Sequence, residues 1–311
     1  MRDAFIRAMT GLARENPRLA LITGDLGFGV LTKYAEEFPN QFVNAGVAEQ
    51  NMTALACGMA LSGWKTYTYS IANFTTLRCL EQIRNDVCYH DADVTVVSVG
   101  GGFSYGQLGM SHFATEDLAI LRALPNMRVV APSEKWETED LTLALAAEPG
   151  PAYLRLDKGD GGIPRREGEV AKLGKARLVR QGSDATLMTI GAIVREAVAA
   201  AEMLAEDGVE ARVLSLSSLK PFDAEAVLAA ARETGGVVTV EEHNVLGGLG
   251  GAVAETCLEG GVAPRFFRRI GLRDEYPTVV GDQNFLRTAY RMDAAAIAAT
   301  VRAALGMRER A

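Results

Sequence analysis

Residues 44–63 read NAGVAEQNMTALACGMALSG, and the architecture of the whole chain can be worked out from this stretch. From Glu49 to Leu61 it offers Ala, Met, Leu and Gln, all good helix formers, with no proline. It follows the run QFVNAG (41–46), which has the apolar character of a strand. A strand that passes through a glycine turn into a helix is the beginning of a βα unit. One residue is out of character. Glu49 is the only charged side chain in the stretch. An acid in the first helical turn complements the positive end of the macrodipole, which is the plain structural reading. The rest of the chain supplies a functional one.

The same alternation continues on either side. RLALITG (18–24), QFVNAG (41–46), KTYTYS (65–70), DVTVVSV (93–99), MRVVAP (127–132) and PAYLRL (151–156) are predicted strands, with helical patterns between most of them. This rhythm predicts a parallel sheet covered on both faces. Gly, Pro and charge interrupt it over 157–184. A second series follows, with strands at ATLMTIG (185–191), EARVLSL (210–216), GVVTVEE (236–242) and PRFFRRIG (264–271), and a last helix over DAAAIAATVRAAL (293–305). The fold class expected is α/β, as two three-layer α/β/α domains. Their bounds are 1–165 and 183–311, with a linker at 166–182.

The 311 residues carry a formal net charge of −7, 48% hydrophobic and 23% charged residues. An acidic chain without a basic face points away from nucleic acid. No apolar run approaches the roughly 20 residues that span a bilayer, so no membrane partner is expected. The four cysteines, Cys57, Cys79, Cys88 and Cys257, form no CxxC and fall in predicted helices. Reduced core thiols and a cytoplasmic location are expected.

Ligands of open parallel sheets sit at the carboxyl ends of strands. That directs attention to loops at 24–29, 46–49, 70–74 and 100–115, the last long, Gly-rich and holding His112. Self-sufficient catalytic motifs are missing. No glycine run completes GxGxxG, and GGLGG (247–251) reads as a turn into a helix. LGKAR (173–177) lacks Walker spacing, there is no GxSxG elbow, and His90, His112 and His243 lie far apart, so no metal site is expected.

The loops do carry a resemblance. ITGDLGFG (22–29), NAGVAEQNMTALACGMALSG (44–63) and GQLGMSHFATEDLAILRALPNMRVVAPS (106–133) resemble the pyrimidine-binding domain of thiamine-diphosphate enzymes, above all the transketolase and deoxyxylulose-phosphate synthase group. VVTVEEHNVLGGLGG (237–251) looks like that group's C-terminal domain. The resemblance covers nearly the whole chain and implies the same two domains.

It also implies roles. Glu49 would be the carboxylate bonded to the pyrimidine N1′ of the cofactor, desolvated among Gly46, Ala48, Ala54 and Ala56. Phe74 would be the aromatic wall of the aminopyrimidine, with Arg78 beside it; a core phenylalanine is the alternative. Asp25 and Leu26 resemble the Asp-Leu pair that closes over the cofactor, the rival being a turn aspartate. His112, with Ser111 in GMSH, matches a substrate-binding element and suits proton transfer at a substrate hydroxyl. Arg155 corresponds to an arginine that grips the substrate phosphate, the rival being a strand-end arginine paired with Asp157. Leu108 stands where typical transketolases have an aspartate that accepts from the acceptor's hydroxyl.

The family's diphosphate element, GDG followed by Asn some 25–30 residues later, is absent. GDGG (159–162) has no such Asn, and GDQN (281–284) lies in the other domain. The chain thus looks like the C-terminal subunit of a split transketolase, which moves a two-carbon ketol unit from a ketose or ketose phosphate to an aldehyde. Its partner would be an N-terminal subunit carrying GDG…N and holding most of the thiamine diphosphate and Mg2+ contacts. The implied assembly is a heterotetramer built on a homodimer of each chain. Two rivals remain: the β subunit of a 2-oxo-acid dehydrogenase, and a non-catalytic binding subunit.

Overall fold

The structure, a computed structural model, describes residues 1–307. Positions 308–311, the end of the second domain expected from the sequence, lie outside the described residues. Each strand anticipated from an apolar run is present. In the first half they are β1 (Leu19–Thr23), β2 (Phe42–Asn44), β3 (Lys65–Ile71), β4 (Val94–Val99), β5 (Arg128–Val130) and β6 (Ala152–Leu156). In the second half they are β7 (Arg177–Arg180), β8 (Ala185–Ile190), β9 (Ala211–Ser215), β10 (Ser218–Lys220), β11 (Gly236–Asn244) and β12 (Phe266–Leu272). β4 and β8 are buried at every position, as strands covered on both faces are.

The first sheet runs β10-β5-β6-β4-β3-β1-β2, and the second β12-β11-β8-β9-β7. Among the described residues all strand pairings are parallel except two, and those two depart from what the sequence suggests. The segment 166–182, expected as a linker, contains β7, which pairs antiparallel with β9 at the edge of the second sheet. β10 leaves its own domain and pairs antiparallel with β5. Both strands are only three or four residues long, too short for a periodic signal to stand out.

Helices cover both sheets. The helix Arg2–Glu15 buries Phe5 and Met9 on one face, at the spacing its sequence shows. Asp223 and Asp293 cap two later helices by accepting from Ala226 and Ala296 N–H. The apolar core does not stop at the domain boundary: Ile22, Met52 and Val96 belong to one buried cluster with Met188, Leu214 and Leu249. Among the described residues no helix is long and apolar enough to cross a membrane.

Candidate active site

β1, β2, β3 and β4 run parallel, so their carboxyl ends share one edge of the sheet, and the loops that follow converge there. Gly24 ends the first of them. A Cβ at that position would stand 3.2 Å from Glu49 Cγ; a larger residue would displace the glutamate.

Glu49 opens the helix Glu49–Leu61 behind Ala48, which supplies no side-chain cap. Its side chain is 3% exposed. A carboxylate that merely complements a dipole has no need to leave water, and burial of a charge is costly without a partner. Arg78 is that partner, donating from Nη1 to Oε2 at 3.2 Å. The expected lining needs correction: Ala56 is buried, but Ala48 and Ala54 face outward. Gly24 and Arg78 approach Glu49 closely instead.

From Arg78 the contacts continue. Its guanidinium lies 5.2 Å from the centroid of the Phe74 ring. Phe74 meets His112 edge to face, with centroids 5.2 Å apart and an interplanar angle of 64°. His112 Nδ1 and Ser111 Oγ are 2.9 Å apart, and Asn73, just before Phe74, donates from Nδ2 to the Ser111 carbonyl at 2.9 Å. Residues 49, 74, 78, 111 and 112, spread over 64 positions of sequence, thus form one unbroken line of contacts. Burial pushes the His112 imidazole below its ordinary pKa, which favours the neutral form.

Asp25 and Leu26 join from the loop after β1. Asp25 adopts φ 58°, a left-handed conformation that Asp tolerates better than most residues. Its N–H donates to Asn44 Oδ1 at 3.0 Å, Asn44 Nδ2 donates back to Asp25 Oδ1 at 3.0 Å, and Gly46 N–H donates to the same Asn44 oxygen. The Leu26 carbonyl accepts from Thr23 Oγ1 at 3.0 Å. Asn44 therefore ties the Asp25 loop to the turn before Glu49.

Arg155 does not join this group, and its expected role is corrected. It is 3% exposed. Its Nε stands 3.2 Å from Asp117 Oδ2, and Nη2 donates to the carbonyls of Ala114 and Glu242. The guanidinium is buried and paired with an internal carboxylate rather than drawn into the contacts that link Glu49 to His112. The stretch GDGG is also engaged: Asp160 pairs with Lys135 at 2.9 Å, and Gly162 and Ile163 N–H both donate to Glu134. Asp282 of GDQN caps the next helix by accepting from Phe285 N–H.

Three neighbours of the site escape a motif reading. Asn44 and Asn73 act as local bridges next to residues already singled out. Tyr105 lies 6.1 Å from the His112 ring, and its only signal is membership of the long Gly-rich loop. The arrangement fits the pyrimidine half of thiamine diphosphate: a buried carboxylate, a half-buried aromatic ring beside it, and a histidine beyond the ring.

A two-domain α/β chain with this site has the content of the second half of a thiamine-diphosphate transferase. The family model for the transketolase pyrimidine-binding domain matches residues 1–162, and that for the transketolase C-terminal domain matches 174–297. The chain belongs to the transketolase family, and it is a transketolase-type subunit. It is 38% identical over 303 residues to a subunit of the apulose-4-phosphate transketolase of Phocaeicola vulgatus, covering 96% of this chain and 95% of that one. It is 35% identical over 311 residues to the 6-deoxy-6-sulfo-D-fructose transketolase subunit SqwH of a Clostridium species, covering 100% and 95%. A solved split-gene transketolase, described as an inactive beta4 tetramer, superposes with a TM-score of 0.86 at 34% identity, over 99% of this chain and 98% of that chain.

Proposed function

We propose that this chain supplies the pyrimidine side of the active site in a split transketolase. The enzyme would use thiamine diphosphate and Mg2+ to move a two-carbon ketol unit from a ketose or ketose phosphate to an aldehyde. The observation that carries the reading is the continuous line from Glu49 through Arg78 and Phe74 to His112. When bound, thiamine diphosphate supplies the carbon nucleophile and the electron sink.

The chain's own residues do the rest. Desolvated Glu49 accepts a hydrogen bond from the pyrimidine N1′–H and keeps that nitrogen protonated. Arg78 engages Oε2 and leaves Oε1 to the ring. Phe74 offers an aromatic surface to the pyrimidine at low entropic cost, and Asp25 and Leu26 close over it. His112, with Nδ1 directed to Ser111, has Nε2 available to take or return a substrate hydroxyl proton. Leu108, 55% exposed at the tip of the same loop, cannot accept a hydrogen bond. Acceptors without an α-hydroxyl, or more apolar ones, are therefore favoured.

The partner is an N-terminal transketolase subunit with a GDG…N element, which holds most of the diphosphate and the Mg2+. The two chains would form a heterotetramer built on a homodimer of each. Support comes from the outer side of the Glu49–Leu61 helix, where Leu55 and Leu61 are 36% and 60% exposed, and from Val47 in the turn before it, 76% exposed. A helix apolar on both sides is one that another surface covers. The four cysteines are buried free thiols, in keeping with a reducing, cytoplasmic setting.

Calorimetry on the purified chain tests the proposal. The chain alone should not bind Mg2+–thiamine diphosphate at micromolar concentration, and binding and ketose turnover should appear when a GDG…N partner is added. Tight binding by the chain alone would overturn it.

A further inference from the structure

We infer that the second domain sets the position of His112, and that Glu242 is the positioning residue through which it does so; this rests on the reading of His112 as the proton-transfer group. The loop between β4 and the helix Asp117–Arg122 starts and ends in the first domain, yet its anchors lie in the second. Phe103 and Phe113, 0% and 1% exposed, are buried in the second domain's core with Ile193 and Leu286. Their rings stand 5.4 Å apart, and Phe103 lies 5.7 Å from Tyr290. Between these two anchors Gln107, Leu108 and Ser111 are exposed, while the Gly106 carbonyl accepts from Gly281 N–H at 3.3 Å and Met110 packs against the same second-domain core. Most of what holds it therefore comes from the second domain, at both ends and at Gly106.

Glu242, near the end of β11, holds the first end. Its Oε1 accepts from Phe103 N–H at 2.5 Å and from Gln283 Nε2 at 2.8 Å, while Oε2 accepts from Arg287 Nε at 2.6 Å. Gln283 and Arg287 fix the carboxylate within its own domain, and Phe103 N–H is the contact by which the loop is registered against it. The approach is close: Gly102 has φ +56°, and any side chain there would run into the Glu242 carboxylate. The second end is held by Asn244 N–H, two residues further along the chain, donating to the Thr115 carbonyl at 2.7 Å. Gly102 and Ala114 close the base of the loop with two backbone hydrogen bonds. The other charged groups around Glu242 among the described residues are Arg155, which donates to its carbonyl, Asp157, a buried like charge within electrostatic reach, and Glu196, which reaches it only through Arg287. From the first domain Asn73 holds the Ser111 carbonyl. His112 is thus suspended between the two domains, and the second fixes its loop by a charge-assisted bond of the stronger kind.

The full chain has three histidines, so the ring-proton signal of His112 can be assigned by NMR with His112→Asn. That signal is shifted by the ring currents of Phe74 and Tyr105 and reports displacement of the loop directly. Glu242→Ala is expected to move it, and to speed amide exchange across Gly102–Phe113 by about ten- to hundredfold, the worth of one hydrogen bond to a charged group. Glu196→Gln weakens the same Arg287 without touching the loop and is expected to lower stability while leaving both signals in place. The inference is overturned if Glu242→Ala lowers the melting temperature with both signals unchanged, or if Glu196→Gln moves them equally. Should Glu242→Ala fail to fold, Glu242→Gln keeps the volume and weakens the acceptor. It is read by the same two signals: their movement supports the inference, and their staying in place overturns it. A reconstituted enzyme that transfers no ketol would remove the functional reading and leave this measurement standing, so the two failures are distinguishable.

Discussion

Replacing Glu49 by Gln keeps the volume of a side chain that is 3% exposed and removes only its charge. The structural consequences are small and can be bounded. The lost ion pair is with Arg78, whose side chain is 51% exposed, so the pair is worth roughly 0–1 kcal/mol. The lost helix-end interaction is worth about 0.3–1 kcal/mol, and relief of a buried charge acts in the opposite direction. Net destabilisation of no more than about 1–2 kcal/mol follows, a few degrees in melting temperature for a protein of this size. The catalytic consequence is much larger. A positioned acid–base group contributes about 10²- to 10⁴-fold, equivalent to roughly 2.7–5.4 kcal/mol in the barrier. Steady-state kinetics of the reconstituted enzyme, read beside thermal unfolding of the same sample, separates the two. A Glu49→Gln protein that melts early and turns over normally would rule out the catalytic role and return Glu49 to that of a helix-end charge.

For His112, burial holds the imidazole below its ordinary 6.5. The acid limb of kcat/KM should therefore fall below pH 6.5, and His112→Asn should abolish it with a loss of about 10²- to 10⁴-fold. On the stability side the sign is fixed as well: the unfolded chain protonates first as pH drops through 6.5, so His112 weighs against the fold only on the acid side; an acid limb above pH 6.5 would contradict both statements. Leu108→Asp, at an exposed position, should leave melting unchanged and raise kcat/KM for an α-hydroxy aldehyde over its deoxy analogue by roughly tenfold or more; equal preference before and after would exclude Leu108 from the acceptor site. Arg155→Met strands the buried Asp117 charge, so urea unfolding should show a loss of about 3–5 kcal/mol. The ratio of KM values for phosphorylated and unphosphorylated substrates should not move, and a selective rise for the phosphorylated one would restore Arg155 as a phosphate ligand.

The parts of the molecule that could be read from sequence are those in which a local pattern carries the physics. Buried parallel strands such as Val94–Val99 and Ala185–Ile190 announce themselves as unbroken apolar runs. The loops that carry Glu49 and His112 stand out as strand-end loops, but the roles of the two residues come from the family resemblance of NAGVAEQNM (44–52) and GQLGMSH (106–112). β7 and β10 are different. Each exists because a neighbouring sheet offers an open edge, and three residues such as Ser218–Lys220 hold no record of that edge. Arg155 shows the same limit for side chains. Its place at a strand end is visible in YLRLD, but whether the guanidinium faces a ligand or an internal carboxylate depends on Asp117, 38 positions away in the chain. Glu242 has no local signal at all, because its partners come from Phe103, Gln283 and Arg287.

The crossing of β10 into the first sheet bears on how the chain is made. β5 has β6 on one side, and on the other it waits for Ser218–Lys220. A ribosome that has released the whole of the first domain has still to deliver some sixty residues before that edge is closed. Over that interval β5 presents unpaired backbone groups to the cell, the kind of edge that recruits other strands. Neither half of this polypeptide can be finished without the other, so a truncation at the apparent boundary near residue 165 should yield a protein prone to association rather than a free-standing domain.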